Sequence, residues 1–234
     1  MKLYIAEKPS LGREIAKMLG AGAKKGGYIE CENGDLVTWC FGHMFELADP
    51  DDYSESLKRW SMETLPIIPE SFDRKARSDA RDQIATIKKL MGEVESIVNC
   101  GDPDREGQLL VDELLEELGN NKQVERAWLT ALDEKSLRKA LGNLKPNSDY
   151  TGLRNAAYGR SLADWLVGIN LTRAYTVLAK EKGHSDVFSV GRVQSPTLKL
   201  VVERDLLIEN FKKTVTTRPH RLCSQSQHRL TQSE

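Results

Sequence analysis

Two short apolar runs constrain this chain more than any other feature. Lys2–Ala6 and Ser96–Cys100 each break off into an acidic turn, Glu7-Lys8 in one case and Gly101-Asp102-Pro103-Asp104-Arg105-Glu106-Gly107 in the other. A stretch with helical spacing follows each turn: Leu11, Ile15, Met18 and Leu19 after the first, Leu109, Leu110, Leu114, Leu115 and Leu118 after the second. The same strand-turn-helix pattern is expected from a strand over 126–129 and a helix over about 133–144, and residues 78–94 form a further helix. Asn33-Gly34 between apolar segments signals a β-hairpin of 28–31 with 35–40. Strands alternating with helices predict an α/β fold, a Rossmann-like parallel sheet with helices on both faces.

A polar break, Lys145-Pro146-Asn147-Ser148-Asp149, sets the expected boundary of this first domain at 1–147. Beyond it the pattern is helical. One long helix or a broken pair covers about 153–180, and a helix over 194–210 turns Leu198, Val201, Val202 and Leu206 inward, making 151–212 a partial helical domain. Residues 213–234 contain only Val215, Leu222, Cys223 and Leu230 as apolar side chains, too few to offset ordering entropy, and are expected to form a disordered tail. With 34 Lys+Arg against 35 Asp+Glu there is no global basic field, so any nucleic-acid surface must be local. No apolar run approaches the ~18 residues of a membrane span, and the start is too short for a signal-peptide core, so no membrane association and a cytoplasmic location are expected. Cys31, Cys40, Cys100 and Cys223 show no metal-ligand spacing and read as reduced thiols.

In a doubly wound sheet, chemistry sits at the carboxyl ends of the strands. If the two acidic runs are neighbouring strands, Glu7, Asp102, Asp104 and Glu106 converge. Clustered carboxylates need a cation, and hard oxygens suit Mg²⁺ or Mn²⁺. A phosphate substrate follows, with Lys8 placed to stabilise a phosphodiester. A bare Asp-x-Asp pattern more often reflects helix capping, here by Asp102 and Asp104, and Glu7-Lys8 alone more often a solvated pair. Gly12 and Gly20 lack the spacing of a phosphate loop.

Ile5-Ala6-Glu7-Lys8-Pro9-Ser10 together with Asp102-Pro103-Asp104-Arg105-Glu106-Gly107-Gln108-Leu109-Leu110 resembles the Toprim domain of type IA DNA topoisomerases, in particular the topoisomerase III branch. The resemblance continues through Val37-Thr38-Trp39-Cys40, Gly42-His43, Arg59-Trp60 and Leu65-Pro66-Ile67-Ile68-Pro69. It then runs through 163–175 and Ser189-Val190-Gly191-Arg192-Val193-Gln194-Ser195-Pro196-Thr197, covering about 1–212. It implies Mg²⁺-dependent cleavage of one DNA strand by transesterification onto a tyrosine, passage of another strand, and resealing. By resemblance Glu7 is the proton-transfer group and Lys8 supports the phosphodiester. Glu7, Asp102 and Asp104 ligate Mg²⁺, with Glu106 in a supporting or second-ligand role. The resemblance also implies a groove for single-stranded DNA along His43, Trp60, Arg160, Asp164, Arg173, Lys180 and Ser189-Val190-Gly191-Arg192-Val193-Gln194. Basic groups there reach phosphates, Gln194 and Asp164 reach base edges or sugars, and Trp60 offers a stacking face. The plainer alternatives are that Trp165 is core and Arg173 pairs with an acid.

The family's nucleophilic tyrosine has no counterpart. Tyr4, Tyr28, Tyr53, Tyr150, Tyr158 and Tyr175 lie in segments matched to other roles, and the resemblance stops at Phe211-Lys212. The chain therefore reads as a truncation with a frameshift-like extension, inactive alone. A Toprim nuclease or primase and a non-enzymatic single-strand-binding fragment are the competing readings, and no protein partner can be named.

Overall fold

The computed structural model of the chain describes residues 1–213. In chain order the elements are β1 (Lys2–Ala6), α1 (Pro9–Met18), β2 (Ala21–Lys25), β3 (Tyr28–Cys31), β4 (Leu36–Trp39), β5 (Phe45–Leu47), α2 (Pro50–Tyr53) and β6 (Arg74–Ala76). They continue with α3 (Arg81–Glu93), β7 (Ser96–Cys100), α4 (Arg105–Glu117), β8 (Gln123–Arg126), α5 (Glu134–Leu141), β9 (Lys145–Pro146), α6 (Thr151–Glu181) and α7 (Gln194–Glu209).

The main sheet runs β2-β3-β4-β1-β7-β8-β9. Its centre is parallel: β1 pairs with both β4 and β7, and β7 with β8. The flanks are antiparallel, through the β3–β4 hairpin, β2 on β3, and β9 on β8. The α/β expectation holds with a mixed sheet in place of a wholly parallel one, because the hairpin and the short β9 close the two sides. A separate two-stranded ribbon joins β5 to β6. Each sheet face carries a core. Leu3, Ile5 and Ile97 pack with Ile87 and Leu90 of α3 and Val111, Leu114 and Leu115 of α4. On the opposite face Tyr4, Val37 and Val98 pack with Leu11 and Ile15 of α1 and Leu137 of α5. A Cβ on Gly12 would lie 2.8 Å from the Trp39 ring, so a glycine there lets α1 sit close on the sheet.

One local expectation shifts, one strand was not anticipated, and one alternative is decided. The strand expected at 126–129 is 123–126; Ala127 and Leu129 are apolar because they are buried beyond the ladder's end. Strand β2, Ala-Gly-Ala-Lys-Lys, has no period-two signal, and its exposed residues form a strand through pairing with β3. The 31-residue α6 is one unbroken helix that packs along α4.

The chain divides into two compact units, residues 1–192 and a second beginning at Val193. Helix α7 belongs to the second, and the expected inward set is corrected: Leu198, Val201, Val202 and Leu206 are all exposed, Leu198 by 62%. Leu200, Leu207 and Ile208 spread the apolar residues around the whole helix, so its spacing defines no single stripe to bury. Cys31, Cys40 and Cys100 are buried free thiols, with Cys100 pushed up to about 12 by burial. Cys223 and the tail expected over 213–234, apart from Lys213, lie outside the described residues. Among the described residues no helix is long and apolar enough to cross a membrane.

Candidate functional site

Glu7 is the first residue beyond β1, and Gly101-Asp102 follow β7. These are adjacent parallel strands, registered Ala6 to Cys100, so both acids emerge at one edge of the sheet. There the Asp102 backbone N–H donates to Glu7 Oε2 at 3.0 Å, and Lys8 Nζ donates to Asp102 Oδ2 at 2.9 Å. That bond, followed by the fields of Glu7 and Asp104, holds the Lys8 ammonium pKa above its ordinary value. Asp104 caps α4, accepting from the Gly107 backbone N–H at 2.8 Å. Glu106, in the first turn of α4, receives a hydrogen bond from the Arg160 guanidinium of α6. The fold thus joins Glu7, Lys8 and Asp102 directly, keeps Asp104 beside them as a cap, and turns Glu106 towards α6.

The donor set suits a hard divalent cation, being all carboxylate oxygen at a partly exposed strand edge. In the described conformation, however, Lys8 and the helix cap each engage a carboxylate oxygen, and no three His, Cys, Asp or Glu side chains among the described residues are grouped to hold a metal ion. A cation held through Asp102 Oδ2 would compete with Lys8 for that oxygen.

The loop that carries Asp102 is held from below by a residue sequence reasoning missed. Arg126 is fully buried, and its guanidinium donates to Gln108 Oε1 at 2.7 Å and to the carbonyls of Asn99, Gly101, Ala127 and Asp102 at 3.1, 2.9, 2.8 and 2.7 Å. Gln108 and Asn99 in turn donate to Asp112 and Asn147, and Asn99 Oδ1 accepts from the Gly101 N–H. Space is also tight: a Cβ on Gly101 would fall 2.1 Å from the Gly107 carbonyl oxygen. The available signal was a lone arginine in the otherwise apolar run Arg126-Ala127-Trp128-Leu129.

The remaining expected residues are dispersed. His43 Nδ1 lies 3.3 Å from Glu113 Oε1, which raises the imidazole pKa, with Glu106 and Glu7 adding smaller fields. Arg173 is buried, donating to the Leu57 carbonyl at 2.6 Å and Asp51 Oδ1 at 3.3 Å, with its guanidinium over the Trp60 ring at 5.1 Å. Both residues therefore anchor α6 to the 51–60 segment. Trp165 is likewise structural, donating to the Ala48 carbonyl and meeting Tyr53 and Phe72 edge-on. Asp164 takes a forked pair of bonds from Arg192 at 2.8 and 3.1 Å, which lowers its carboxyl pKa. Val190 exchanges backbone bonds with Thr172 Oγ1, beside Ser189 and Gly191, and Lys180 is exposed. In the second unit, Val193 and Gln194 are exposed at the start of α7.

The sequence model of the Toprim domain matches residues 2–132, and that of DNA topoisomerase matches 148–216. Sheet, strand-end acids and match together define a Toprim-class α/β domain. The proteins called DNA topoisomerase 3 from Salmonella typhimurium, Haemophilus influenzae and Staphylococcus aureus are 48%, 46% and 39% identical over 216, 217 and 212 residues. Those alignments cover 90%, 91% and 90% of this chain and 33%, 33% and 29% of the relatives. The chain belongs to the type IA DNA topoisomerase family, in its topoisomerase III branch, and spans about a third of the length of the curated relatives it matches. Full-length topoisomerase I from Thermotoga maritima has a TM-score of 0.59 with 20% identity, covering 90% of this chain and 31% of that one, a likeness of fold.

Proposed function

We propose that this chain carries the metal-and-phosphate half of an active site for Mg²⁺-dependent single-strand DNA cleavage, passage and resealing, acting in the cytoplasm. The observation that carries the reading is the joining of Glu7, Lys8 and Asp102 across two adjacent strand ends, with the 3.0 Å and 2.9 Å bonds described above. Glu7, Asp102 and Asp104 would hold Mg²⁺ or Mn²⁺, with Glu106 in support. The ion, when bound, neutralises phosphodiester charge. Glu7 moves a proton at the sugar oxygen of the cut bond, and Lys8, released from Asp102, pairs with the phosphate. Lys180, Arg192 and the Ser189-Val190-Gly191 backbone would contact a single strand, with Arg160 beside Glu106; in the second unit, Val193 and Gln194 are exposed and would each offer a contact of their own. Asp164 orients Arg192, His43 faces the strand from the β4–β5 turn, and Trp60 with Arg173 braces the wall.

The attacking hydroxyl is the part residues 1–234 do not supply. Tyr4 is buried in β1, Tyr53 accepts a bond from the Asp73 N–H, Tyr150 stacks on Trp128, and Tyr158 lies under Arg74. Tyr28 packs against the α3–α4 core, and Tyr175 is exposed on α6. Transesterification needs an oxygen in line about 3 Å from phosphorus. Residues 1–234 alone therefore form no covalent DNA adduct; a protein-linked label after denaturing electrophoresis with labelled single-stranded DNA and Mg²⁺ would contradict this. Titration calorimetry tests the metal site. Mg²⁺ binding is expected and is lost in Asp102→Asn/Asp104→Asn; equal binding by that variant removes these acids from the site.

A further inference from the structure

A cleft of about 530 Å³ lies beside the acidic loop without belonging to it. Trp128 and Tyr150 stack at 5.1 Å with 13° between their planes and form its wall, and Thr130, Lys139, Asn143 and Lys145 complete it. Trp128 stands just past the end of β8, the parallel neighbour of β7, so the cleft opens on the sheet edge where ligands of doubly wound folds bind. Arg126 joins the two places. Its guanidinium carbon is 5.1 Å from the Trp128 ring centre, and its Nη2 donates to the Asp102 carbonyl.

Its chemistry is specific. Lys139 and Lys145 are exposed, and among the described residues neither ammonium has an ion-pair partner, unlike Lys8 at the acidic loop and Lys75 of the β5–β6 ribbon. Two unneutralised cations on one wall favour an anion. A flat aromatic pair beside them favours a π-faced group, and the exposed Thr130 and Asn143 side chains supply polar contacts between. Ligands that combine a flat heteroaromatic ring with a negative charge a few ångströms away are nucleotides.

We propose that this cleft binds a nucleotide, its base against the Trp128–Tyr150 pair and its phosphate on Lys139 and Lys145. The ligand is either a free nucleoside monophosphate or one nucleotide of a single strand crossing the sheet edge. The site stands whether or not the neighbouring acids hold a metal.

The test uses residues 1–234 in EDTA, titrated with dAMP, with adenosine and with inorganic phosphate, and followed by calorimetry and tryptophan fluorescence. Binding of dAMP is expected to be at least tenfold tighter than that of adenosine or phosphate, and to quench a fluorescence component absent from Trp128→Phe. Lys139→Ala/Lys145→Ala, whose altered side chains are exposed, is expected to keep its melting temperature and weaken dAMP at least tenfold. Asp102→Asn/Asp104→Asn is expected to leave dAMP binding unchanged, which separates this cleft from the metal site. An oligo(dA) that binds at least tenfold tighter than dAMP, and loses that gain in the lysine variant, identifies a strand as the ligand; equal affinity identifies the free nucleotide. Absence of dAMP binding, or dAMP affinity unchanged in the lysine variant, overturns the proposal.

Discussion

Helices α4 and α7 carry similar numbers of leucines and valines yet live in opposite surroundings. Leu109, Leu110, Val111, Leu114 and Leu115 of α4 are buried between the sheet and its neighbours, whereas no residue of α7 is buried. In α4 the apolar residues gather on the faces that the sheet and α6 cover, and Asp104 and Glu106 ride at its start, so site geometry inherits the rigidity of a packed core. In α7 the apolar residues encircle the axis, and Gln194 at its start is exposed. A helix forms by local bonding, but it positions chemistry only through what it packs against.

The largest test of this contrast is Arg126→Ala. Removing the guanidinium takes a donor from five acceptors: the Asn99 and Asp102 carbonyls keep the Ala127 and Asp104 N–H groups, while Gln108 Oε1 and the Gly101 and Ala127 carbonyls are stranded. Urea denaturation is expected to show a loss of roughly 3–5 kcal/mol, at about 1–3 kcal/mol per stranded group with partial relief by entering water. A loss below about 1 kcal/mol would mean that the loop is not held from beneath. Next comes Leu114→Ala in α4, which is expected to cost about 2–5 kcal/mol as a cavity in a tight core.

A smaller effect tests the clamp between α4 and the β4–β5 turn. His43 pairs with Glu113 of α4, which also faces Arg74, and Glu106 and Glu7 lie within its field. Because the folded pKa of His43 is raised above 6.5, the pair's stabilisation is fully present below that pH and is lost as pH rises through the folded value. With the imidazole side chain 41% exposed, solvent screening keeps the effect below about 1 kcal/mol. Melting temperatures of wild type and His43→Gln are expected to differ at pH 6 and to converge by pH 8.5; a constant gap removes the charge from the account. The smallest effect belongs to α7, where Leu206→Ala is expected to change stability by less than about 0.5 kcal/mol. If Leu206→Ala costs as much as Leu114→Ala, the two helices are not the different environments described here.

Much of the site was legible because its signals are local. An apolar run that ends in Glu7-Lys8, another that ends in Asp102-Pro103-Asp104, and Asn33-Gly34 between strands each state a structure within a few residues. Hairpin, helix starts and carboxyl-end acids follow from backbone geometry and side-chain period alone. Trp165 was readable as core, but Arg173 resisted the same reading. On a helix surface an arginine that binds phosphate and one that ties α6 to Leu57 and Asp51 look alike in sequence, and only packing separates them.

By itself, then, the amino-acid order determined the α/β alternation, the acids at the ends of β1 and β7, and membership in its family through long ordered motifs. Tertiary structure alone decided that β1 and β7 are neighbours, that Lys8 lies on Asp102, that Arg126 is buried beneath the loop, and that the α7 leucines face water. The division has one physical cause. Periodicity and turn chemistry act between residues a few positions apart, whereas pairing, burial and charge neutralisation act between groups some 95 positions apart, as in the bond from Asp102 to Glu7, and depend on which surfaces the folded chain brings together.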